Sequence, residues 1–316
     1  MPTGADADDA EPQSRPSLLT RIIQARDKPK SPWLLIVALG LFLLFTFLAF
    51  RSLPPIEDPR WELILVAGLV CVPVITALNA LEYRVMAHFA NHHPPPLEIM
   101  QVSVMGSAAN LLPVPGAVVV RLANLRKAGV KVKSGLNLTA IIGITWIGAA
   151  CALGGIAQLW SNPGFGVITL AIGSGLLGVA IAMLSRVLEP GSRFRGTIEL
   201  LAIESAFVLV QALRLFLVAR ALHFDISYAQ ASTLVIAAVS AAAIGFLPAG
   251  LGAREAIAAI LSPIVGFPAA VGLVITAVDR VINLVVLSAF AGLITLMTRH
   301  QRKEELERLA SEAEAT

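Results

Sequence analysis

Charge is scarce in this chain. Only 14% of its 316 residues are charged, 56% are apolar, and the mean hydropathy is +0.78. A soluble domain carries about 25% charged residues. The few charges gather at the ends: residues 1–32 hold ten and residues 299–316 hold nine. Between them lie apolar runs of roughly 20 residues, the length that crosses a bilayer core. A water-soluble globule, a disordered chain and a coiled coil are all excluded, and an all-α polytopic membrane protein is predicted. Cysteine is nearly absent too. Cys71 and Cys151 both fall inside apolar runs and read as small buried hydrophobes rather than a disulfide or metal site. The sequence has no nucleophile motif, phosphate-binding loop, dinucleotide fingerprint or zinc motif, so no catalytic residue, metal or cofactor is predicted. The net charge of +3 and pI near 9.1 reflect basic cytoplasmic loops rather than nucleic-acid binding.

Six runs are long enough to cross: Trp33–Phe50, Trp61–Phe89, Ser134–Gln158, Phe165–Leu184, Thr197–Leu222 and Ala269–Thr298. No small-residue cleavage site follows the first, which ends Phe50-Arg51-Ser52, so it is expected to remain as an anchor. Trp33, Trp61 and Trp160 stand at run ends, as interfacial anchors do. Gly166, Gly173, Ser174, Gly175 and Gly178 crowd the fourth run and are assigned to close helix packing.

Two more segments are apolar but interrupted. Leu97–Lys127 contains Asn110-Leu-Leu-Pro113-Val-Pro115-Gly116, and Tyr228–Val265 contains Leu247-Pro248-Ala-Gly250-Leu-Gly252. Proline removes a backbone donor and clashes with the turn before it, so a helix should stop at each place. The distribution of Lys and Arg decides whether these segments cross or turn back. If both are re-entrant, 18 of the 24 basic residues fall on one side, including the leader, the Arg121–Lys133 stretch, the Arg186–Arg195 loop and the C-terminal run. If both cross, the Arg121–Lys133 stretch lies opposite the basic leader. The positive-inside rule selects the re-entrant arrangement with both termini cytoplasmic. The predicted organisation is a tail over 1–32, a membrane domain over 33–298 with re-entrant elements at about 97–127 and 228–265, and a short solvated helix or tail over 299–316. The two interrupted segments share a pattern, AANLLPVPGAVVVR and AAIGFLPAGLGAR, and enter from opposite faces. That is an inverted repeat, which puts a binding site near the midplane.

The candidate site residues follow from that geometry. Pro248, Gly250 and Gly252 precede a restarted helix whose N-terminus favours an anion. Arg254 in its first turn can hold a phosphate, and Glu255 can cap the same helix end or pair with Arg254 or another buried arginine. In the first segment Asn110, Gly116 and Arg121 occupy the corresponding places, while Arg126 and Lys127 read as interfacial. Glu204, Arg214, Asp279 and Arg280 are further charges at membrane depth, where ionisable groups are costly. Ten residues separate Glu204 from Arg214, so each needs a partner elsewhere, and Arg280 is expected to pair with Glu255 or Glu204. Adjacent Asp279 and Arg280 point about 100° apart. A proton relay through Glu204 or Asp279 is an open alternative to structural pairing. His92-His93-Pro-Pro-Pro96 reads as a loop rather than a metal site.

The element Pro248–Glu255 (PAGLGARE) before an alanine-rich helix, with NLLPVPG and Arg121, resembles the lysylphosphatidylglycerol synthase transmembrane region family over most of Trp33–Thr298. The resemblance implies a flippase-like protein of the bacterial inner membrane that moves an anionic or modified phospholipid, or a lipid-linked headgroup, between leaflets. Two-part relatives add a cytosolic domain that aminoacylates phosphatidylglycerol. The 18 residues after Thr298 leave no room for one, and the synthase activity is not expected here. One departure stands out: relatives often carry Gly and an acidic residue shortly before the first arginine, where this chain has Ala117-Val-Val-Val120. The partners expected are a membrane phospholipid or lipid-linked substrate, with a cytosolic lipid-modifying enzyme or a second copy of the chain as further candidates. Two other readings stay open: a membrane enzyme using Glu204, Glu255 or Asp279 as general base, and an accessory subunit docking a soluble enzyme on the basic loops.

Overall fold

The computed structural model describes residues 58–109, 116–244 and 252–314, with Phe47 and Arg51 from the earlier chain. The first predicted span, Trp33–Phe50, and the proline-bearing segments 110–115 and 245–251 lie outside the described residues. Among those described, nine helices account for nearly all of the chain. They are α1 (Trp61–Phe89), α2 (Pro96–Ala109), α3 (Gly116–Lys127), α4 (Val132–Gln158), α5 (Pro163–Val187), α6 (Arg193–Ala221), α7 (Tyr228–Ile244), α8 (Ala253–Ile264) and α9 (Ala269–Glu314). Five of them, α1, α4, α5, α6 and the Ala269–Leu293 part of α9, are long and apolar enough to cross a membrane. With 14, 12, 17 and 12 residues, α2, α3, α7 and α8 are shorter than the roughly 20 residues a span needs.

Local sequence explains the irregular points. Helix α1 widens to a π turn over Ala67–Cys71, just ahead of Pro73, which has no N–H and whose ring displaces the carbonyl one turn back. A β-carbon at Gly68 in that turn would lie 3.2 Å from Ile282 of α9, so the widened turn seats closely on its neighbour. Helix α5 begins at Pro163, and the Asn162 side chain caps it by accepting the Phe165 N–H.

Helix α6 is the hub, touching α1, α4, α5, α7 and α9. Helices α2 and α3 pack on one another, and α2 rests on α1 and α9; α7 and α8 pack on one another, and α7 rests on α6 and α4. Two apolar cores result. One gathers Tyr83, Met86, Ile99, Leu125, Leu138, Leu184 and Leu200 around the α2–α3 pair. The other gathers Ala150, Val208, Leu215, Leu234, Val235, Ala258 and Ile275 around the α7–α8 pair. Gln158, fully buried, ties α4 to α7 by donating to Thr233 Oγ1 at 2.9 Å and to the Ala229 carbonyl at 3.2 Å. Nearby, Asn162 donates to the Ile264 carbonyl at 2.8 Å and Gln230 to that of Val265 at 2.7 Å, fastening α8 to the same corner. Outward faces carry large apolar side chains such as Leu65, Leu69, Ile168 and Ile172, as lipid contact requires. Trp61 and Trp160 are exposed at helix ends, and Cys71 and Cys151 are buried free thiols, as the sequence predicts.

One expectation gains detail and one needs correction. The C-terminal run is helical, as one of the two forms expected for it, and continues α9 from Ala269 to Glu314. Backbone hydrogen bonding persists across the change from apolar to charged residues, since neither Gly nor Pro stands between Leu293 and Glu314. The glycines of α5 also divide by face. Gly166 and Gly173 meet α4 backbone, whereas added β-carbons at Gly175 and Gly178 would meet nothing within 4 Å, so these two do not serve packing between the described helices.

Candidate functional site

The buried charges form two clusters, one beside each pair of short helices. Beside α7 and α8, Asp279 on α9 is fully buried and accepts two arginines. Arg214 from α6 approaches both carboxylate oxygens, Nε to Oδ1 at 2.6 Å and Nη2 to Oδ2 at 3.0 Å. Arg254, second residue of α8, reaches Oδ2 with Nη2 at 2.5 Å. Arg214 also donates from Nη1 to Asn283 Oδ1 at 2.8 Å. One helical position away, Arg280 Nε lies 2.8 Å from Glu255 Oε1. Glu255 Oε2 accepts the Gly252 N–H at 3.0 Å, which is half of a capping box. Gly252 has φ of +80°, a left-handed conformation that disfavours any side chain. The cluster therefore holds three guanidinium groups against two carboxylates.

The arginines differ in access. The Arg214 side chain is 3% exposed, while Arg254 and Arg280 keep 13% and 15%. Arg254 Nε is buried without a hydrogen-bond partner among the described residues. A buried N–H left unmade costs about 1–3 kcal/mol, more for a charged group. This is a guanidinium with one side committed to Asp279 and a donor still to satisfy.

Beside α2 and α3 the second cluster repeats the theme. Arg121 of α3 pairs through Nη1 with Glu82 of α1, and its buried Nε likewise has no hydrogen-bond partner among the described residues. Tyr83 donates its hydroxyl to Asn124 Oδ1, and Asn124 donates to Glu98 Oε1 at 2.8 Å. Glu204 of α6 stands within electrostatic reach of Glu82 and Arg121.

These positions bear on the sequence expectations one by one. Arg254, Glu255, Gly252, Arg214, Asp279 and Arg280 meet in one cluster; Arg121 and Glu204 meet in the other, with Gly116 at the start of α3. Glu204 and Arg214 do not pair, and of the two partners offered for Arg280 the structure gives Glu255. Arg254 and Glu255 do not neutralise each other, and the Gly252 N–H is occupied by Glu255 rather than open to an anion. Asn110, Pro248 and Gly250 lie outside the described residues. Arg126 and Lys127 are exposed.

Sequence reasoning missed Glu82, Tyr83, Asn124, Glu98 and Asn283. Glu82 carried a signal, being an acidic residue within the predicted Trp61–Phe89 span, but it lies beside Arg84 near the interfacial end of that run. The amides carry no comparable signal. Two histidines, His88 and His93, approach to 3.2 Å at an exposed turn, and among the described residues no three metal-ligating side chains converge. A cavity of about 360 Å³ opens where Asn91, Lys131, Ser134 and Asn137 meet, and none of the predicted site residues lines it.

No curated protein matches the chain. The lysylphosphatidylglycerol synthase TM region family matches residues 32–291, a stretch that holds all nine helices' membrane-depth charges and both pairs of short helices. This multi-pass membrane protein therefore belongs to the lysylphosphatidylglycerol synthase TM region family.

Proposed function

We propose that the protein is a lipid translocator of the bacterial inner membrane, moving an anionic or modified phospholipid, or a lipid-linked headgroup, between leaflets. The observation that carries this reading is the arginine excess beside α8, with Arg254 and Arg280 at its accessible edge and Arg254 Nε without a hydrogen-bond partner among the described residues. Arginine presents a planar fork that matches phosphate geometry. In a low-dielectric interior, three guanidinium groups against two carboxylates favour one further negative charge. A headgroup phosphate supplies it while the acyl tails stay in the bilayer. Arg121 offers the equivalent donor beside α3.

The packing supports an inverted repeat of α1–α4 and α6–α9. Helix α2 rests on α1 and α9, and α7 rests on α6 and α4, which is one relation with the halves exchanged. The two short-helix pairs are then re-entrant elements entering from opposite faces, with both chain termini cytoplasmic by the basic-residue distribution. Movement rather than chemistry is favoured because two of the three carboxyls available as a general base, Asp279 and Glu255, are engaged by arginines.

In proteoliposomes carrying fluorescent phosphatidylglycerol, Arg254→Ala is expected to slow leaflet transfer about ten- to hundredfold, the loss of one charged hydrogen bond worth ~1.5–3 kcal/mol. The variant should still purify as a folded protein, because Arg214 continues to hold Asp279. Transfer at the wild-type rate would remove Arg254 from the site. Detection of a chemically altered lipid would favour an enzyme.

A further inference from the structure

The cluster beside α2 and α3 has the opposite imbalance: Glu82 and Glu204, both deeply buried, share a single arginine, Arg121. Glu82 holds that guanidinium directly. Glu204 is 1% exposed, and its Oε1 is buried without a hydrogen-bond partner among the described residues. Among the described residues, the other cations of α1, Arg84 and His88, are exposed, and Arg280 of α9 is paired with Glu255. Helix α4 has no ionisable side chain between Lys133 and Cys151, and α5 has none before Arg186. Helix α7 offers only Tyr228, whose hydroxyl is bonded to the Leu209 carbonyl, and Asp279 of α9 is committed to Arg214 and Arg254. On α6 itself the nearest arginine inward is Arg214, ten residues on, and it is held by Asp279.

We infer that Glu204 is a proton-binding site, and that its protonation is exchanged during lipid movement, coupling transfer to a pH difference across the membrane. An ionised carboxylate at this depth needs a cation of its own, and the one within reach is taken. With a proton on Glu204, Arg121 stays with Glu82 and binds α3 to α1, which is the arrangement observed. When the proton leaves, Glu204 competes for Arg121 and loosens that tie. Proton and carboxylate combine and separate without any other reactant. One proton travelling with one singly anionic headgroup makes the cycle electroneutral. Position supports the coupling, because Glu204, Gln211 and Arg214 lie on one face of α6, so a buried polar stripe runs from the acidic cluster to the arginine cluster. The Gln211 Nε2 on that stripe is likewise buried without a hydrogen-bond partner among the described residues.

The coupling rests on the translocator reading, whereas the proton site does not, so two measurements separate them. Infrared spectra of the purified protein at neutral pH should contain the carbonyl stretch of a neutral carboxylic acid, absent from Glu204→Gln. Glu82→Gln should lose the same band although Glu204 is intact, because Arg121 then passes to Glu204 and ionises it. Retention of the band in both variants overturns the proton site. In vesicles of phosphatidylcholine and fluorescent phosphatidylglycerol, a one-unit pH gradient should shift the wild-type leaflet ratio by up to about tenfold beyond protein-free vesicles. Glu204→Gln should show no shift. A wild type that equilibrates the lipid but ignores the gradient, or follows a sodium gradient at constant pH, overturns the coupling. A wild type that moves no lipid at all defeats the translocator reading, and the infrared band then decides the proton site alone.

Discussion

Replacing Asp279 with alanine is expected to destabilise the protein by about 3–5 kcal/mol, the cost of leaving a buried ion pair without one partner. Here the loss is compounded, because the fully buried carboxylate serves two guanidinium groups. Its removal strands Arg214 at 3% exposure and takes away one ion pair between α6 and α9 and one between α8 and α9 in one step. Arg254→Ala is the contrast. It leaves the bidentate Arg214–Asp279 pair intact and removes a side chain at the accessible edge, so its thermal midpoint in detergent should stay much closer to wild type. Asn283→Ala, which frees one N–H of Arg214, should fall between them. A thermal-unfolding series with Asp279→Ala indistinguishable from wild type would mean that the cluster does not hold the helices together.

The second large effect concerns the seam between α4 and α5. A β-carbon at Gly173 would stand 2.3 Å from the Ala152 amide nitrogen, and one at Gly155 would stand 2.5 Å from that of Leu170. Both obstacles are backbone, which cannot rotate aside. Alanine at either place must push two whole helices apart, at or above the ~1–3 kcal/mol typical of overpacking. Since small residues substitute for a hydrophobic driving force in lipid, lost approach is lost association. Gly178→Ala meets nothing within 4 Å and should be neutral or stabilising by up to about 1 kcal/mol through helix propensity. Equal thermal midpoints for Gly173→Ala and Gly178→Ala would contradict the close packing.

These two cases also mark what the sequence can and cannot convey. Trp61–Phe89 is one continuous helix within the bounds its hydropathy predicts, because lipid demands an unbroken apolar run. The Gly-rich character of α5 was legible, but not that Gly173 faces α4 while Gly175 and Gly178 do not. Facing is set by a partner helix, and local sequence carries no record of it. Arg280 and Glu255 were legible as a pair because both are costly at depth and few partners exist. The Arg214–Asp279–Arg254 arrangement was not, since it joins residues from three helices up to 65 positions apart. Glu82 was hidden by its neighbour Arg84, which draws the eye to the interface. At Arg299 apolar sequence gives way to charge, while the backbone ladder of α9 runs on through the change.

The arginine cluster as a phosphate site is the claim on which the functional account stands. It is tested most directly by native mass spectrometry of the protein released from a mixed-lipid membrane, comparing wild type with Arg254→Ala. The account predicts that wild type retains an anionic lipid in preference to zwitterionic ones and that Arg254→Ala loses this preference while remaining folded. Equal retention by both proteins, or no preference in wild type, would contradict it and leave Arg254 a structural partner of Asp279.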